Sequence, residues 1–451
     1  MDEIAAYLEK HRDRFYLLHD RTPFLQVADL HTASGNASGL VKLIADIPDG
    51  HQYFTTRAGR EVESLSFAEA ARWLIHCHAF DPAGIKTGAV GDDRVKGGKG
   101  YSMGYPAWVG NLGVIVADGA SLFETLMFNL PLPLVKSRAD GPVWERPALT
   151  ASVVTEHPMP VGPADLFTWP SRRVRLFARE GRIVDVQISN GDRLGPQDQF
   201  VNESMSSWRK SKNQSKGGDE VFMPVNHSPE RRVWQGLASL LVTVDGVSRR
   251  APVLEWLEKL RWERILPDGH RVFLRTVGIE YGPRASSIAG AVDDGLQAHV
   301  VALTDPGLVQ AAVDAAARAG RGVLALVNFA SDLALAAGGE SERPRARTFE
   351  SGFSLLDGPY RDWLKDLEDP ATASESVEEW GRHARQILLD AGATLIAEAG
   401  PAALVGRDVP KRGSDTMQRI DSALAEIWFR AALSKALVSK PTSAQLQEAV
   451  S

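Results

Sequence analysis

The chain has 451 residues, 44% apolar and 24% charged, with a net charge of −6. Length and apolar fraction together exclude global disorder and permit two or three domains, each burying its own core. The sequence contains no unbroken run of about 18 apolar residues, the length a membrane helix needs, and its single cysteine, Cys77, leaves no internal disulfide and no cysteine-based zinc site. Residues 1–14 (MDEIAAYLEKHRDR) read as a charged helix and not as a secretory signal. A soluble cytoplasmic protein, with no membrane partner and neither metal nor organic cofactor, is the expectation.

Ser66 and Glu69 form a capping box ahead of an apolar-periodic run, predicting a helix through Cys77 with Ala70, Trp73, Leu74 and Cys77 on one face. Asp81 to Ala107 (DPAGIKTGAVGDDRVKGGKGYSMGYPA) is far longer and richer in glycine than an ordinary connection. A second capping box, Ser121 and Glu124, opens a short helix stopped by Pro131. Residues 173–178 and 183–188 predict a β-hairpin turning at Glu180-Gly181. Residues 201–219 are polar and basic without periodicity, and an alanine-rich helix is expected over 308–319. Residues 338–347 (GGESERPRAR) form the best linker candidate. Beyond it, 353–367, 377–399 and 414–437 are amphipathic, which suits an antiparallel helical bundle. No internal repeat of solenoid length is visible.

Charge is uneven. Residues 81–250 carry 21 basic and 18 acidic side chains, so the remainder holds a net −9, and eight acids fall between Asp357 and Glu379. Of the basic residues 37 are arginine, the type suited to bidentate phosphate and base contacts. Arg209, Lys210, Lys212 and Lys216 beside Trp208 could follow a phosphate backbone, as could Arg231-Arg232, with Arg172, Arg173 and Arg175 elsewhere in the same basic region. Enzyme signatures are missing. Gly98-Lys-Gly100-Tyr-Ser-Met-Gly104 spaces its last glycine wrongly for a dinucleotide loop, and no Walker, H-E-x-x-H or G-x-S-x-G motif is present. His76, Cys77 and His78 are adjacent on a helix and cannot converge on one ion. A hydrolase built on His227 or His157 lacks a nucleophile–base spacing.

One ordered set of segments is more specific than any of these. PFLQ at 23–26, Phe54 and the residues to Ser66, DPAGIKTG at 81–88, KGGKGY at 96–101 and SLFETLMFNL at 121–130 are followed by PVWE at 142–145, LFTWPSRRVRL at 166–176, HSPERRVWQGL at 227–237 and the C-terminal helical region. In this order they resemble the CasA family, the large subunit of the type I-E CRISPR Cascade surveillance complex.

The resemblance implies an α+β fold, with a large mixed α/β globular domain over 1–345 and a four-helix bundle over 346–451. It implies a non-catalytic, antiviral subunit that reads the protospacer-adjacent motif (PAM) in double-stranded DNA, helps start R-loop formation and recruits the helicase–nuclease. Partners would be crRNA, target DNA, the 5′-handle-binding, backbone and small subunits of Cascade, and that nuclease. Gly84, Ile85 and Lys86 correspond to the glycine loop, Arg231 and Arg232 to the basic finger, and Arg284 and Ala285 to the strand-splitting wedge. Lys96, Lys99, Arg209, Lys210 and Lys212 would touch the DNA backbone. Phe54, Thr55 and Thr56 would meet the crRNA handle, where stacking of an aromatic on a base is worth about 1–3 kcal/mol. The family pattern has Lys in the finger and Asn-Gln in the wedge, so Arg and Arg-Ala here point to a different motif preference.

Overall fold

A computed structural model describes residues 2–47, 63–101, 104–134, 139–153, 159–215, 219–410 and 416–437. Strand and helix are mixed, and the chain divides into two compact units. The first comprises 1–114, 131–229 and 276–293; the second comprises 115–130, 230–275 and 294–451.

In the first unit, Arg172–Arg179 and Arg182–Asn190 form the expected antiparallel hairpin, with Ser38–Gly39 added on the far side of the second strand. Glu180 and Gly181 have φ of +53° and +75°, the sign that a two-residue hairpin turn needs to match strand twist. The helix Phe67–Phe80 packs on this sheet. Its Ser66 hydroxyl accepts the Glu69 N–H at 3.2 Å, as the capping box requires. Leu74, Cys77, Val174, Ile183 and Val186 share one core with Leu40, Ile44 and Leu65. The polar stretch 201–219 is not simply a loop, because Trp208–Lys210 pairs with Phe222–Pro224. Trp208 is fully buried and supplies the apolar anchor that fixes the strand's register.

The second unit is organised by the helix Pro306–Ala337. Asp305 caps it by accepting the Gly307 and Leu308 N–H groups, and Gly338 ends it at φ +87°. Its neighbours are Glu342–Lys365, Ala373–Val405 and Ser422–Leu437. Phe329 stacks on Phe429 with ring centres 4.5 Å apart, and the Tyr360 hydroxyl donates to the Ala312 carbonyl at 2.8 Å. Gly392 allows this closeness, since a Cβ there would lie 2.5 Å from the Phe429 ring. The strands Arg271–Tyr281 and Ile288–His299 form a long hairpin joined by Val114–Asp118, and its distal part, 276–293, belongs to the first unit.

Several elements differ from expectation for identifiable reasons. The 345/346 boundary falls inside the helix Glu342–Lys365, and the linker shrinks to residues 338–341. The charged residues of 338–347 are a solvated helix start, and Pro344 sits in the first turn, where its missing N–H costs nothing. The helix preceding that boundary supplies core to the helices following it. A two-stranded ribbon, Arg407–Pro410 with Met417–Ile420, precedes the last helix. Two helices, 306–337 and 373–405, are long and apolar enough to cross a membrane by length and composition, although the linear count found no such run. The first buries most of its apolar stretch inside the protein; the second leaves Leu404 and Val405 exposed.

Glu203 is fully buried in the first unit, accepting the Met205 and Ser206 N–H groups at 2.8 and 2.7 Å. Burial nevertheless pushes its pKa up to about 7. A carboxyl raised on folding contributes stability that is full below its unfolded pKa and is lost as pH rises through the folded one. We predict that the unfolding free energy from denaturant titration falls between about pH 5 and pH 8, by an amount on the order of 3 kcal/mol for this group. Glu203→Gln should flatten that slope; an unchanged slope in the variant would contradict the assignment.

Candidate nucleic-acid interface

The glycine-rich segment from 81 onward is tied down at many points. The Asp81 carboxylate meets Arg172 Nε at 2.5 Å and Lys86 Nζ at 2.6 Å, and Arg172 also donates to the Asp81 and Pro82 carbonyls. Burial by itself raises the Asp81 pKa, but the two cations override it and hold the carboxyl below its ordinary value. Lys86-Thr87 pairs with Lys99-Gly100, and the Asn190 amide donates to the Gly100 and Tyr101 carbonyls. Gly97 and Gly98, at φ +57° and +73°, turn the chain between exposed Lys96 and Lys99. Gly84 has φ +139° with open space where a Cβ would stand, and Ile85 beside it is 58% exposed. The loop therefore offers solvent a bare backbone, one isoleucine and two lysines on a rigid base, while Lys86 is spent on Asp81.

The segment matched to the wedge is the tip of the long hairpin. Gly282 N–H bonds the Ser287 carbonyl at 2.9 Å, and between them Arg284 and Ala285 have φ of +59° and +53°. Two consecutive non-glycine residues in the left-handed region are strained by about 1–2 kcal/mol each. Arg284 is exposed. Behind the tip lies a cleft of about 540 Å³ lined by Tyr105, Asn111, His227, Glu280, Tyr281 and Ala285. Tyr281 donates to the Phe80 carbonyl at 2.7 Å, which ties the distal part of the hairpin to the 67–80 helix of the first unit.

In the second unit, Arg231 is exposed and has no hydrogen-bond or ion-pair partner among the described residues. Arg232 is half-buried; its N–H donates to Gln235 Oε1 at 2.6 Å and its Nε lies 3.9 Å from Asp357. Trp234 is buried and stacks on Tyr360 with ring centres 4.6 Å apart. On the short strand of the first unit, Arg209 and, just beyond it, Lys212 are exposed, whereas Lys210 pairs with Glu220 at 2.5 Å.

Other residues singled out by sequence fall differently. Arg172 and Arg173 are interior cations, 1% and 3% exposed, and Arg173 pairs with Asp192 at 2.8 Å, so neither offers charge to a ligand. His227 is half-buried with Nε2 3.2 Å from the Val114 carbonyl. His78 donates from Nε2 to the Leu25 carbonyl, and burial lowers its pKa to about 4. Phe54, Thr55, Thr56, His157 and Lys216 lie outside the described residues. Sequence reasoning missed Asp81, Asp294, Asp357 and Arg361: Asp357 and Arg361 are one helical turn apart, but Arg361 meets Asp294 67 residues away, Asp81 meets Arg172 91 away and Asp357 meets Trp234 123 away.

Fold and site define a mixed α+β protein that holds exposed arginines on rigid loops. It matches the family described as CRISPR-associated protein Cse1 over residues 1–391, and the chain belongs to that family. CasA/Cse1 of Thermus thermophilus is 30% identical over 285 residues, covering 61% of this chain and about half, 52%, of that protein's length. The crystal structure of Thermobifida fusca Cse1 matches with a TM-score of 0.87 and 40% identity, over 97% of this chain and 83% of that one. Cse1 from Acidimicrobium ferrooxidans matches with a TM-score of 0.79 and 26% identity, over 100% and 84%.

Two outcomes test the local physics. Asp81→Ala leaves the buried Arg172 charge without its carboxylate and should cost about 3–5 kcal/mol in denaturant unfolding; a loss below 1 kcal/mol would show that the pair is not buried as described. Arg284→Gly removes left-handed strain and should be neutral to stabilising, by about 1 kcal/mol. A clear destabilisation by the same measurement would place Arg284 in a packing role.

Proposed function

We propose that this protein is the large, non-catalytic subunit of a type I-E CRISPR surveillance complex in the cytoplasm, and that it reads the PAM of duplex DNA. In such complexes guide–target pairing reads sequence, so the protein needs only a short motif and the backbone. Family membership is the frame of the reading. The observation that carries it is the tip Arg284-Ala285, where backbone strain is held at an exposed basic position without a packing return.

In this reading Gly84 and Ile85 approach the duplex as bare backbone and an apolar edge, and Arg231 enters the minor groove, where a narrow groove focuses negative potential. Arg284 and Ala285 part the first base pairs and so begin the R-loop. Lys96, Lys99, Arg209 and Lys212 meet phosphates. Phe54 to Thr56 dock the crRNA handle. The C-terminal helices act as a four-helix bundle whose acidic surface repels DNA and suits protein partners, including the helicase–nuclease.

The test uses the assembled complex with crRNA and a duplex library randomised beside the target, from which the matched motif is read. Arg231→Ala should lose about 10–100-fold in affinity for the matched duplex, equivalent to about 1–3 kcal/mol, and much less for a scrambled one. Lys212→Ala should weaken both alike and reduce the salt slope. An equal loss on both duplexes, or none, for Arg231→Ala removes it from the motif contact. Unaltered co-purification and target binding of Phe54→Ala would remove the handle contact.

A further inference from the structure

Three consecutive residues after Arg231 are anchored to two carboxylates, and one guanidinium holds both. Val233 N–H donates to Asp294 Oδ2 at 2.8 Å, and Trp234 Nε1 donates to Asp357 Oδ1 at 2.8 Å. Arg232 Nε lies 3.9 Å from Asp357 Oδ2. Arg361, one helical turn after Asp357, donates from Nε to Asp357 Oδ1 at 2.8 Å and from Nη2 to the two Asp294 oxygens at 3.0 and 3.2 Å. Its Nη1 also donates to the Gly295 carbonyl. These side chains are each about a quarter to a third exposed, so water screens the group only in part.

We infer that Arg361 is a positioning residue, and that the Asp294–Arg361–Asp357 clamp sets where the exposed Arg231 points. The geometry is specific to arginine. A planar fork spans two carboxylates and a carbonyl at once, whereas a lysine ammonium is a single point. Without the guanidinium, two carboxylates that share a cation are left to repel one another. Both are also the acceptors that hold Val233 and Trp234. Because Arg361 and Asp357 lie on the helix Glu342–Lys365, the clamp makes the setting of Arg231 depend on that helix. The functional consequence rests on the DNA reading above, while the clamp itself does not.

The experiment therefore has two readouts on the assembled complex. The first is hydrogen exchange of the Val233 amide, which Arg361→Ala should accelerate at least about tenfold. The second is affinity for the matched and scrambled duplexes. Arg361→Ala should lose about 3–10-fold on the matched duplex and less than twofold on the scrambled one. In the Arg231→Ala background it should cause no further loss, since a residue that acts only by aiming Arg231 has nothing left to aim. Asp357→Asn, which keeps an acceptor for Trp234, should fall between wild type and Arg361→Ala. Arg430→Ala, which breaks an exposed pair with Glu426 on another helix, should change nothing.

Unchanged exchange, equal losses on both duplexes, or losses that multiply in the double variant would overturn the inference. If Arg361→Ala does not assemble, Arg361→Lys is read by the same criteria. If Arg231→Ala leaves discrimination intact while Arg361→Ala accelerates exchange, the clamp stands and the DNA reading fails.

Discussion

A guanidinium taken out of water must find a carboxylate and carbonyls where it lies, and this constraint organises both units. Arg172 with Asp81 ties a glycine-rich loop to the start of a strand, and Arg173 with Asp192 ties the same strand to the segment after its hairpin. In the second unit Arg318 pairs with Asp314 and caps the last helix by donating to the Leu437 carbonyl. Arg361 holds Asp294 and Asp357 together. Such pairs add little net stability compared with apolar replacements, but breaking one leaves a stranded charge. They therefore act as staples that allow one arrangement of loop against strand.

The same constraint sorts the arginines by role. A chain with 37 arginines and a net charge of −6 looks ambiguous as a nucleic-acid partner. Among the basic side chains left exposed, Lys96, Lys99, Arg209, Arg284 and Arg231 stand at the turn at 97–98, on the short strand at 208–210, at the hairpin tip and on the segment after Pro229. Rigid support matters because a side chain already held in place loses less entropy on binding. An acidic overall balance keeps non-specific attraction to polyanions low.

Glycine has a comparable double use. In the loop from 81 to 107, Gly97 and Gly98 make a turn that side-chain-bearing residues resist, and Gly84 leaves backbone open to approach. At Gly392 the missing side chain serves packing instead, letting two helices close on the stacked Phe329 and Phe429. Loop length alone could not distinguish an ordered loop from a floppy one. The difference lies in long-range anchors, including Asn190 on Gly100 and the Asp81 ion pairs.

The sequence by itself determined the features whose physics is local. Both capping boxes, the Glu180-Gly181 turn, the apolar face of the 67–80 helix and the amphipathic C-terminal helices were legible because each depends on residues within a turn or two. The ordered set of short segments also carried the family. Only the tertiary structure decided which carboxylates the interior and half-buried cations meet, since Arg172 and Asp81 are 91 residues apart and Arg361 and Asp294 are 67 apart. It decided that 338–347 begins a helix, because its polar residues face water while Thr348 and Phe353 reach the core. It also placed Arg284 and Ala285 in left-handed backbone, a strain that no propensity foretells and that the closing of a long hairpin imposes.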